Sequence, residues 1–299
     1  LFDSVRGGRY VLQSNTNGAE SDSGDDNNIV FKEGGFDMVA TNGGQGNGTG
    51  GTYAAWCWKA GGGVATNTNG NITSSVSVNE EAGFSIVSYT GNGSNGQTVG
   101  HGLSQAPKWI IIKARDATQN WRVWHHSLAS DGSKRLILDQ TNQSEDAGFL
   151  NDTAPTSTVF TLGNADDAWN ANGAKFIAYC WHEVPGFSKF GLYKGNNNSN
   201  GPYIHLGFRP AWIMIKNTQR SSAWYILDNK RDPDNPAQQY LAAEDGAAEG
   251  TYVFYDFLSN GFKLRNTGNA QNPSGENIVY FAFAEQPGST AYDTETNAR

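Results

Sequence analysis

Short runs of apolar residues alternate with turns rich in Gly, Asn, Asp and Pro along the chain, and no segment shows a helical period. Runs such as Phe84–Tyr89, Trp109–Lys113 and Lys175–Trp181 recur about every 10–15 residues, which is typical of antiparallel strands joined by tight turns. The pattern therefore predicts an all-β protein. The expected architecture is tandem antiparallel β-sandwich domains of a jelly-roll or lectin-like kind, each of about 100 residues.

The pattern itself repeats. The segment beginning "GFSIVSYTGNGS" at Gly83 is followed at Gly186 by "GFSKFGLYKGNN", and Trp109 and Lys113 recur as Trp212 and Lys216 at a shift of 103 positions. A repeat of this length is a domain rather than a solenoid unit. Residues that recur in every copy are therefore more readily explained by the fold than by a reaction.

A third copy begins the chain, but only its second half is present. "LFDSVRGG" aligns with "ILDNKRDP", and "TYAAWCWKA" aligns with "KFIAYCWHE". The predicted organisation is a truncated first repeat (1–60), a polar linker (61–82), two complete repeats (83–185 and 186–286) and a tail (287–299). Half a sandwich leaves an apolar face uncovered, so we expect residues 1–60, including Trp56 and Trp58, to pack on the second repeat or on a neighbouring copy of the chain.

Composition narrows the class of protein. The net charge of −8 and the lack of any Lys/Arg cluster disfavour nucleic-acid binding. No apolar run is long enough to insert into a membrane. High Gly content and abundant aromatic residues are typical of an extracellular or virion β-protein. Cys57 and Cys180 occupy the same repeat position and are predicted to be buried free thiols.

The titratable residues predict no catalytic site. Adjacent strand residues point to opposite faces, so His125 and His126 are not expected to share a metal ion. Asp3 and Asp228 stand near the repeat position of His125, so we expect no active site to be shared among these three residues. Asp-x-x-Arg recurs at Asp3 and Asp228, which favours an ion pair that closes a strand-to-loop corner. No enzymatic activity is predicted.

Two loops have the chemistry of a calcium site, because oxygen ligands lie close together in sequence. They contain Asp22, Asp25 and Asp26 in the first copy and Asp232 and Asp234 in the third. Neither loop has EF-hand spacing, and a solvated turn is the alternative. No other cofactor is predicted.

One aromatic residue has the setting of a sugar-binding side chain. Trp169 lies in "NADDAWNANG" and has no counterpart in the third copy. A loop Trp beside Asp166, Asp167 and Asn170 could stack on a sugar ring and bind its hydroxyl groups. The alternative is a Trp that folds back onto its own domain.

The segments "GFSIVSYTGNGS", "APKWIIIK" and "FLSNGFKLRN" resemble an uncharacterised repeated domain of large structural proteins of marine phages, usually described as tail-fibre or tail-associated proteins. The resemblance includes "LFDSVRG", "YAAWCWKAGG" and "NDTAPTSTVFTLG" and extends from Leu1 to Glu285. In that family "LFDSVRG" usually follows strands similar to "WIIIKAR", which do not precede Leu1 in this sequence. The family has no established catalytic residues, so the resemblance implies none here.

The resemblance implies a virion structural protein, a fibre or surface-appendage component with a role in host adhesion, located in the virion or outside the cell. The expected partners are other virion proteins or copies of the same chain, and a host-surface glycan is a further candidate. The alternative function is a carbohydrate-binding module of a secreted or virion-borne polysaccharide-active protein. A hydrolase or lyase ranks third, because no acid/base cluster stands outside the repeated positions.

Overall fold

A computed structural model describes residues 1–24, 29–39, 46–163 and 168–285. Every regular element in these ranges is a β-strand, which confirms the predicted all-β class. In chain order the strands are β1 (Tyr10–Val11), β2 (Ser21–Asp22), β3 (Ile29–Lys32), β4 (Gly35–Met38), β5 (Ala65–Asn67), β6 (Ser74–Asn79), β7 (Phe84–Thr90), β8 (Gln97–Gly100), β9 (Trp109–Ala114), β10 (Arg122–His125), β11 (Lys134–Ile137), β12 (Glu145–Asp146), β13 (Val159–Leu162), β14 (Lys175–Trp181), β15 (Ser188–Lys194), β16 (Tyr203–His205), β17 (Trp212–Asn217), β18 (Tyr225–Asp228), β19 (Ala237–Ala242), β20 (Gly250–Leu258), β21 (Gly261–Leu264) and β22 (Asn277–Phe283).

The two complete repeats build sheets with the same central order. In the second repeat the order is β11-β10-β9-β14-β7, and in the third it is β19-β18-β17-β22-β15. The registers match as well: Trp109 pairs with His125 and Trp181, and its counterpart Trp212 pairs with Asp228 and Phe283. The repeat read from the sequence is therefore a repeat of topology and register.

The predicted linker over 61–82 is wrong. Strands β5 and β6 lie within it and extend the sheet of the second repeat beyond β7. Strand β6 alternates Ser with Val, and Val76 is buried against the core of this repeat while Ser75 is exposed. Strand β6 is paired on both sides, with β5 and with β7, and the polar composition of the segment concealed both strands.

The repeats share one large apolar cluster, although the second repeat also has a core of its own. One face of the second-repeat sheet is covered by the small β8–β13 sheet. The opposite face packs directly on the third repeat, where the Trp109 ring lies 4.4 Å from that of Phe281 and 5.8 Å from that of Phe190. These residues belong to one continuous cluster that also contains Leu12 of the first repeat. The repeats are therefore sectors of one packed unit.

The first repeat contributes two short hairpins, β1–β2 and β3–β4, and an extended segment, Tyr53–Ala60. The Trp58 ring lies 5.3 Å from Trp212 and 6.2 Å from Trp181, and the Trp56 ring lies 6.4 Å from Trp212. Both tryptophans are therefore covered within the chain, but mainly by the third repeat, and only Trp58 contacts the expected second repeat, through Trp181.

The two cysteines are free, but their environments differ. Cys180 is buried as predicted, because the β8–β13 layer covers its face of the sheet. Cys57 is exposed, so the prediction that it is buried is wrong. Alternation along the extended segment points Trp56 and Trp58 inward and leaves Cys57 on the outer face.

Candidate functional site

The side chains with the most specific contacts join one repeat to the next. At the first joint, Lys113 Nζ of the second repeat donates a hydrogen bond to Asn17 O of the first repeat at 3.3 Å. Trp121 Nε1 donates to Gln13 O at 3.0 Å and to Thr16 O at 3.2 Å. Both side chains are fully buried, so these carbonyl groups satisfy donors that water cannot reach.

The second joint repeats the first. Lys216 Nζ of the third repeat donates to Thr141 O of the second at 2.7 Å, and Trp224 Nε1 donates to Ile137 O at 2.9 Å. Two backbone hydrogen bonds accompany the side chains at each joint, at equivalent positions. At the first joint, Gln119 N donates to Asn17 O (2.9 Å) and Glu20 N donates to Arg115 O (2.6 Å). At the second joint, Ser222 N donates to Thr141 O (2.8 Å) and Ser144 N donates to Thr218 O (3.0 Å). One docking geometry is thus used twice within the chain.

Sequence reasoning attributed the recurring residues, Lys113 and Lys216 among them, to the fold and gave the lysines no specific role. The sequence did not predict the joints, because the acceptors are backbone carbonyl groups, which every residue type provides. A signal was nevertheless present: Lys113 and Lys216 recur in otherwise apolar strands, and a buried charge is rare unless it has partners.

Burial lowers the pKa of Lys113 and of Lys216 from 10.5 to about 8, although Asp139 and Glu244 respectively oppose the shift. Between the folded and unfolded pKa values the unfolded chain binds more protons, so stability increases with pH. We expect the free energy of unfolding to rise between about pH 8 and pH 10, as urea titrations would show. The double variant Lys113→Met/Lys216→Met should lose this rise. An equal slope in the variant would contradict the assignment.

A second set of contacts lies at three equivalent turns, one in each repeat. In each turn the side chain of the first residue accepts a hydrogen bond from a backbone amide two residues further on. Asp3 Oδ1 accepts a hydrogen bond from Val5 N, His125 Nδ1 from Ser127 N and Asp228 Oδ1 from Lys230 N, each at 3.0 Å. Asp3, His125 and Asp228 are thus alternatives at one structural position, as the sequence predicted. Each closes its own turn, and they do not form a shared catalytic group.

The same three residues each meet an aromatic side chain of another repeat, and these aromatics are themselves equivalent in sequence. The contacts are Tyr179 OH donating to Asp3 Oδ2 at 2.7 Å, the Phe281 ring at 4.9 Å from the His125 ring, and Trp56 Nε1 donating to Asp228 Oδ2 at 3.1 Å. They join the second repeat to the first, the third to the second, and the first to the third. The three sectors therefore close into a cycle.

Charge is concentrated at the first joint. Arg6 Nε lies 2.5 Å from Asp3 Oδ2 and Arg6 Nη1 lies 3.0 Å from Glu20 Oε2, while Glu20 Oε1 also binds Arg115 Nη2 of the second repeat at 2.9 Å. Burial opposes the charge of Arg6, but Tyr179, Asp3 and Glu20 hold its pKa above the ordinary value. The predicted corner ion pair is confirmed.

Its counterpart in the third repeat is built in the same way. Arg231 Nε lies 2.7 Å from Asp228 Oδ2, and Arg231 Nη1 lies 2.7 Å from Glu249 Oε2. Burial raises the pKa of Asp228, but hydrogen bonds from Arg231 and Trp56 outweigh it and leave this pKa below the ordinary value. The Asp228 carboxylate thus serves as an acceptor within its own corner, which fits a structural role.

The adjacent histidines are placed differently from the expectation that they point apart. Their rings stack, with centroids 4.9 Å apart, because His126 lies beyond the end of β10. Burial, with a smaller contribution from His126, holds the pKa of His125 well below its usual range. His126 Nε2 lies 2.9 Å from Phe190 O of the third repeat. The pair therefore belongs to the contact between repeats.

The predicted sugar-stacking ring is buried. Trp169 is 1% exposed, its ring and that of Phe149 form a T-shaped pair with centroids 5.2 Å apart, and Arg135 lies over it at 5.0 Å from the ring centroid. The ring is therefore unavailable to a ligand, and the alternative of a Trp folded onto its own domain fits its burial. Residues far away in sequence cover the ring, so the local loop pattern was misleading.

The polar residues assigned to the same site do not form one. Asn170 is buried, and its side-chain amide donates to Ser94 O at 2.6 Å, which fixes the neighbouring Gly-rich turn. Asp166 and Asp167 lie outside the described residues.

Of the first calcium candidate, only Asp22 lies within the described residues; Asp25 and Asp26 lie outside them. The Asp22 carboxylate pairs with Arg9 at 3.1 Å on the surface. The Gly24 amide and the Arg9 guanidinium hold the pKa of Asp22 below its ordinary value. This carboxylate is used within its own hairpin.

In the second candidate, Asp232 Oδ2 accepts a hydrogen bond from Gln238 N at 2.7 Å, while Asp234 is exposed. Across the described ranges, His, Cys, Asp and Glu side chains do not gather in groups of three or more that could hold a metal ion. The acidic side chains therefore act as local turn acceptors where their contacts are defined.

The chain belongs to a protein family described as a domain of unknown function (DUF7483), whose model matches residues 1–287. No curated protein and no solved structure matches it. Within the described part of the chain, no helix is long and apolar enough to cross a membrane.

Proposed function

We propose that the protein is a structural component of a phage virion, part of a fibre or surface appendage that carries polar loops to a host surface. The observation that carries this proposal is the use of the repeated, chemistry-bearing residues. Lys113, Trp121 and their counterparts bind backbone carbonyls of a neighbouring repeat, and Asp3, His125 and Asp228 close turns at the same contacts. Because these residues serve contacts between repeats, they favour a mechanical role for the protein over a catalytic one.

Rigidity supports the same role. A core shared between repeats allows little movement of one sector against another. The Gly- and Asn-rich loops at 91–96 and 195–201 occupy equivalent positions, and Asn92 and Asn196 begin matching turns by binding Ser94 N and Asn198 N. A stiff body with equivalent polar loops is suited to presenting those loops at a distance.

The carbohydrate-binding alternative has lost its main support, because it relied on an exposed Trp169. The absence of enzymatic activity remains part of the proposal. Each titratable residue considered as a catalyst, namely His125, Asp3 and Asp228, has a turn to close in the structure.

Immunogold electron microscopy of purified particles, with antibodies raised against this chain, tests the proposal. We expect label on a fibre or surface appendage. Label confined to secreted soluble protein, with none on particles, would reject it. A polysaccharide-cleaving activity that disappears in a His125→Ala variant whose fold is retained would favour the enzyme instead.

A further inference from the structure

Three residues that stand together in the second repeat are all replaced in the third. The replacements are Arg122 by Tyr225, Arg135 by Tyr240 and Trp169 by Gln271. The first two follow from the matching registers of β10–β11 and β18–β19. The third follows because Tyr89 OH and Tyr193 OH donate to these two backbone carbonyls, each at 2.8 Å. Since recurring residues are explained by the fold, the replaced ones are candidates for a function of the third repeat.

In the second repeat the three residues form a closed assembly. The guanidinium groups of Arg122 and Arg135 lie over the Trp169 ring, at 5.8 and 5.0 Å from its centroid. The ring is buried, so this assembly presents no aromatic surface to a ligand.

In the third repeat the central ring is Phe254, and tyrosines surround it. The Phe254 centroid lies 5.1 Å from that of Tyr225, 5.4 Å from that of Tyr240 and 5.6 Å from that of Tyr252. Phe254 is fully buried, whereas Tyr225 and Tyr240 are partly buried and Tyr252 is 43% exposed. These three tyrosines, the tyrosine cluster, therefore present aromatic rings to solvent where the second repeat presents none.

Glycines hold two of these rings close to the backbone. Tyr240 faces Gly250 across the β19–β20 pair, and a Cβ at Gly250 would collide with the Tyr240 ring. The Tyr252 hydroxyl lies beside Gly268, 3.2 Å from where a Cβ would stand. Rings fixed in this way lose little conformational freedom when a ligand binds, which favours affinity.

The polar groups around the rings suit a neutral ligand with many hydroxyl groups. Burial raises the pKa of Tyr225, and the neighbouring tyrosines and the Glu244 carboxylate raise it further, whereas a hydrogen bond with the Gln271 side chain opposes the shift. Phenol, amide and carboxylate groups all bind hydroxyl groups, and a tyrosine ring offers a face to sugar C–H groups. The two guanidinium groups of the second repeat are replaced here, and the chain has a net charge of −8, so an anionic ligand is disfavoured.

We propose that the tyrosine cluster of the third repeat binds a neutral glycan. A pyranose ring stacks on Tyr252, the most exposed of the three rings, and its hydroxyl groups bind the phenol groups of Tyr225 and Tyr240. A protein partner would need an apolar centre to bury, and Phe254 is already fully buried. The inference deepens the proposed function and rests on it for the origin of the glycan at a host surface, but the binding itself is a property of the purified chain.

Binding of the purified chain to immobilised glycans tests the proposal. The probes are neutral linear oligosaccharides of glucose, mannose, galactose and xylose, with a sulfated galactan as the anionic probe. We expect binding to at least one neutral probe and none to the sulfated one. Tyr252→Ala should weaken this binding by about tenfold or more, while Tyr252→Phe, which keeps the ring, should retain most of it.

Tyr203→Ala is the matched control. Tyr203 belongs to the same sheet and is 44% exposed, but its hydroxyl donates to Asn260 Oδ1 at 2.6 Å, apart from the tyrosine cluster. Both residues are exposed, so both variants should keep the fold, and the control should bind as the wild type does. An equal loss in the two variants would overturn the proposal.

Three other results would also overturn it: binding to none of the probes, binding to the sulfated probe alone, and self-association without glycan that Tyr252→Ala abolishes in analytical ultracentrifugation. The last result would assign the tyrosine cluster to a contact between copies of the chain. None of them bears on whether the chain is part of a particle, which immunogold labelling decides separately.

Discussion

Replacing Arg6 by alanine is expected to lower the free energy of unfolding by about 3–5 kcal/mol. The Arg6 guanidinium is fully buried between Asp3 and Glu20 and also lies 3.4 Å from the Tyr179 hydroxyl. Its removal leaves the Asp3 carboxylate buried without a cation, and the cost of an unpaired buried charge exceeds the value of the pair itself. Urea denaturation followed by Trp fluorescence measures the change.

Arg9→Ala is the matched control. Arg9 pairs with Asp22 on the surface, where both side chains are about half exposed. Exposed pairs contribute about 0–1 kcal/mol, so this variant should remain close to the wild type. Equal destabilisation by the two variants would show that the effect of Arg6→Ala does not arise from burial.

Trp121→Ala and Trp224→Ala should each cost about 3–5 kcal/mol, which is the range for truncation of a buried aromatic side chain. Both indoles are fully buried at a joint. The loss should appear as destabilisation of the whole chain, because each ring fastens one repeat to another. Calorimetry of each variant should show one transition at a lower temperature.

Phenylalanine at the same positions separates packing from hydrogen bonding. Trp121→Phe keeps an aromatic ring but leaves Gln13 O and Thr16 O without their indole donor. A hydrogen bond of this kind contributes about 0.5–1.5 kcal/mol, in addition to the volume lost. A Phe variant as unstable as the Ala variant would assign the whole effect to the hydrogen bonds.

The repeat, the strand class and the equivalence of Asp3, His125 and Asp228 were accessible from the sequence, because they depend on local pattern and internal alignment. The cycle was not. It depends on which faces of two sheets meet, and a strand buried on both faces, such as β9 or β17, gives no indication of which layer is a neighbouring repeat.

The failures at the candidate site have the same origin. Trp169 was judged from its own loop and Cys57 from its position in the repeat, but exposure is decided by residues distant in sequence. Phe149 and Arg135 cover Trp169, whereas the layer that buries Cys180 has no described counterpart over Cys57. Trp169 is therefore buried although a surface position was expected, and Cys57 is exposed although burial was expected.

Native-state hydrogen exchange tests most directly the central claim that the repeats form one unit around a shared core. Strands β9 and β14 lie in the second repeat, and β17 and β22 in the third. The account predicts that their slowest amides exchange with one common opening free energy, while amides of Tyr53–Ala60 exchange quickly. Two distinct opening free energies, one for each repeat, would contradict it.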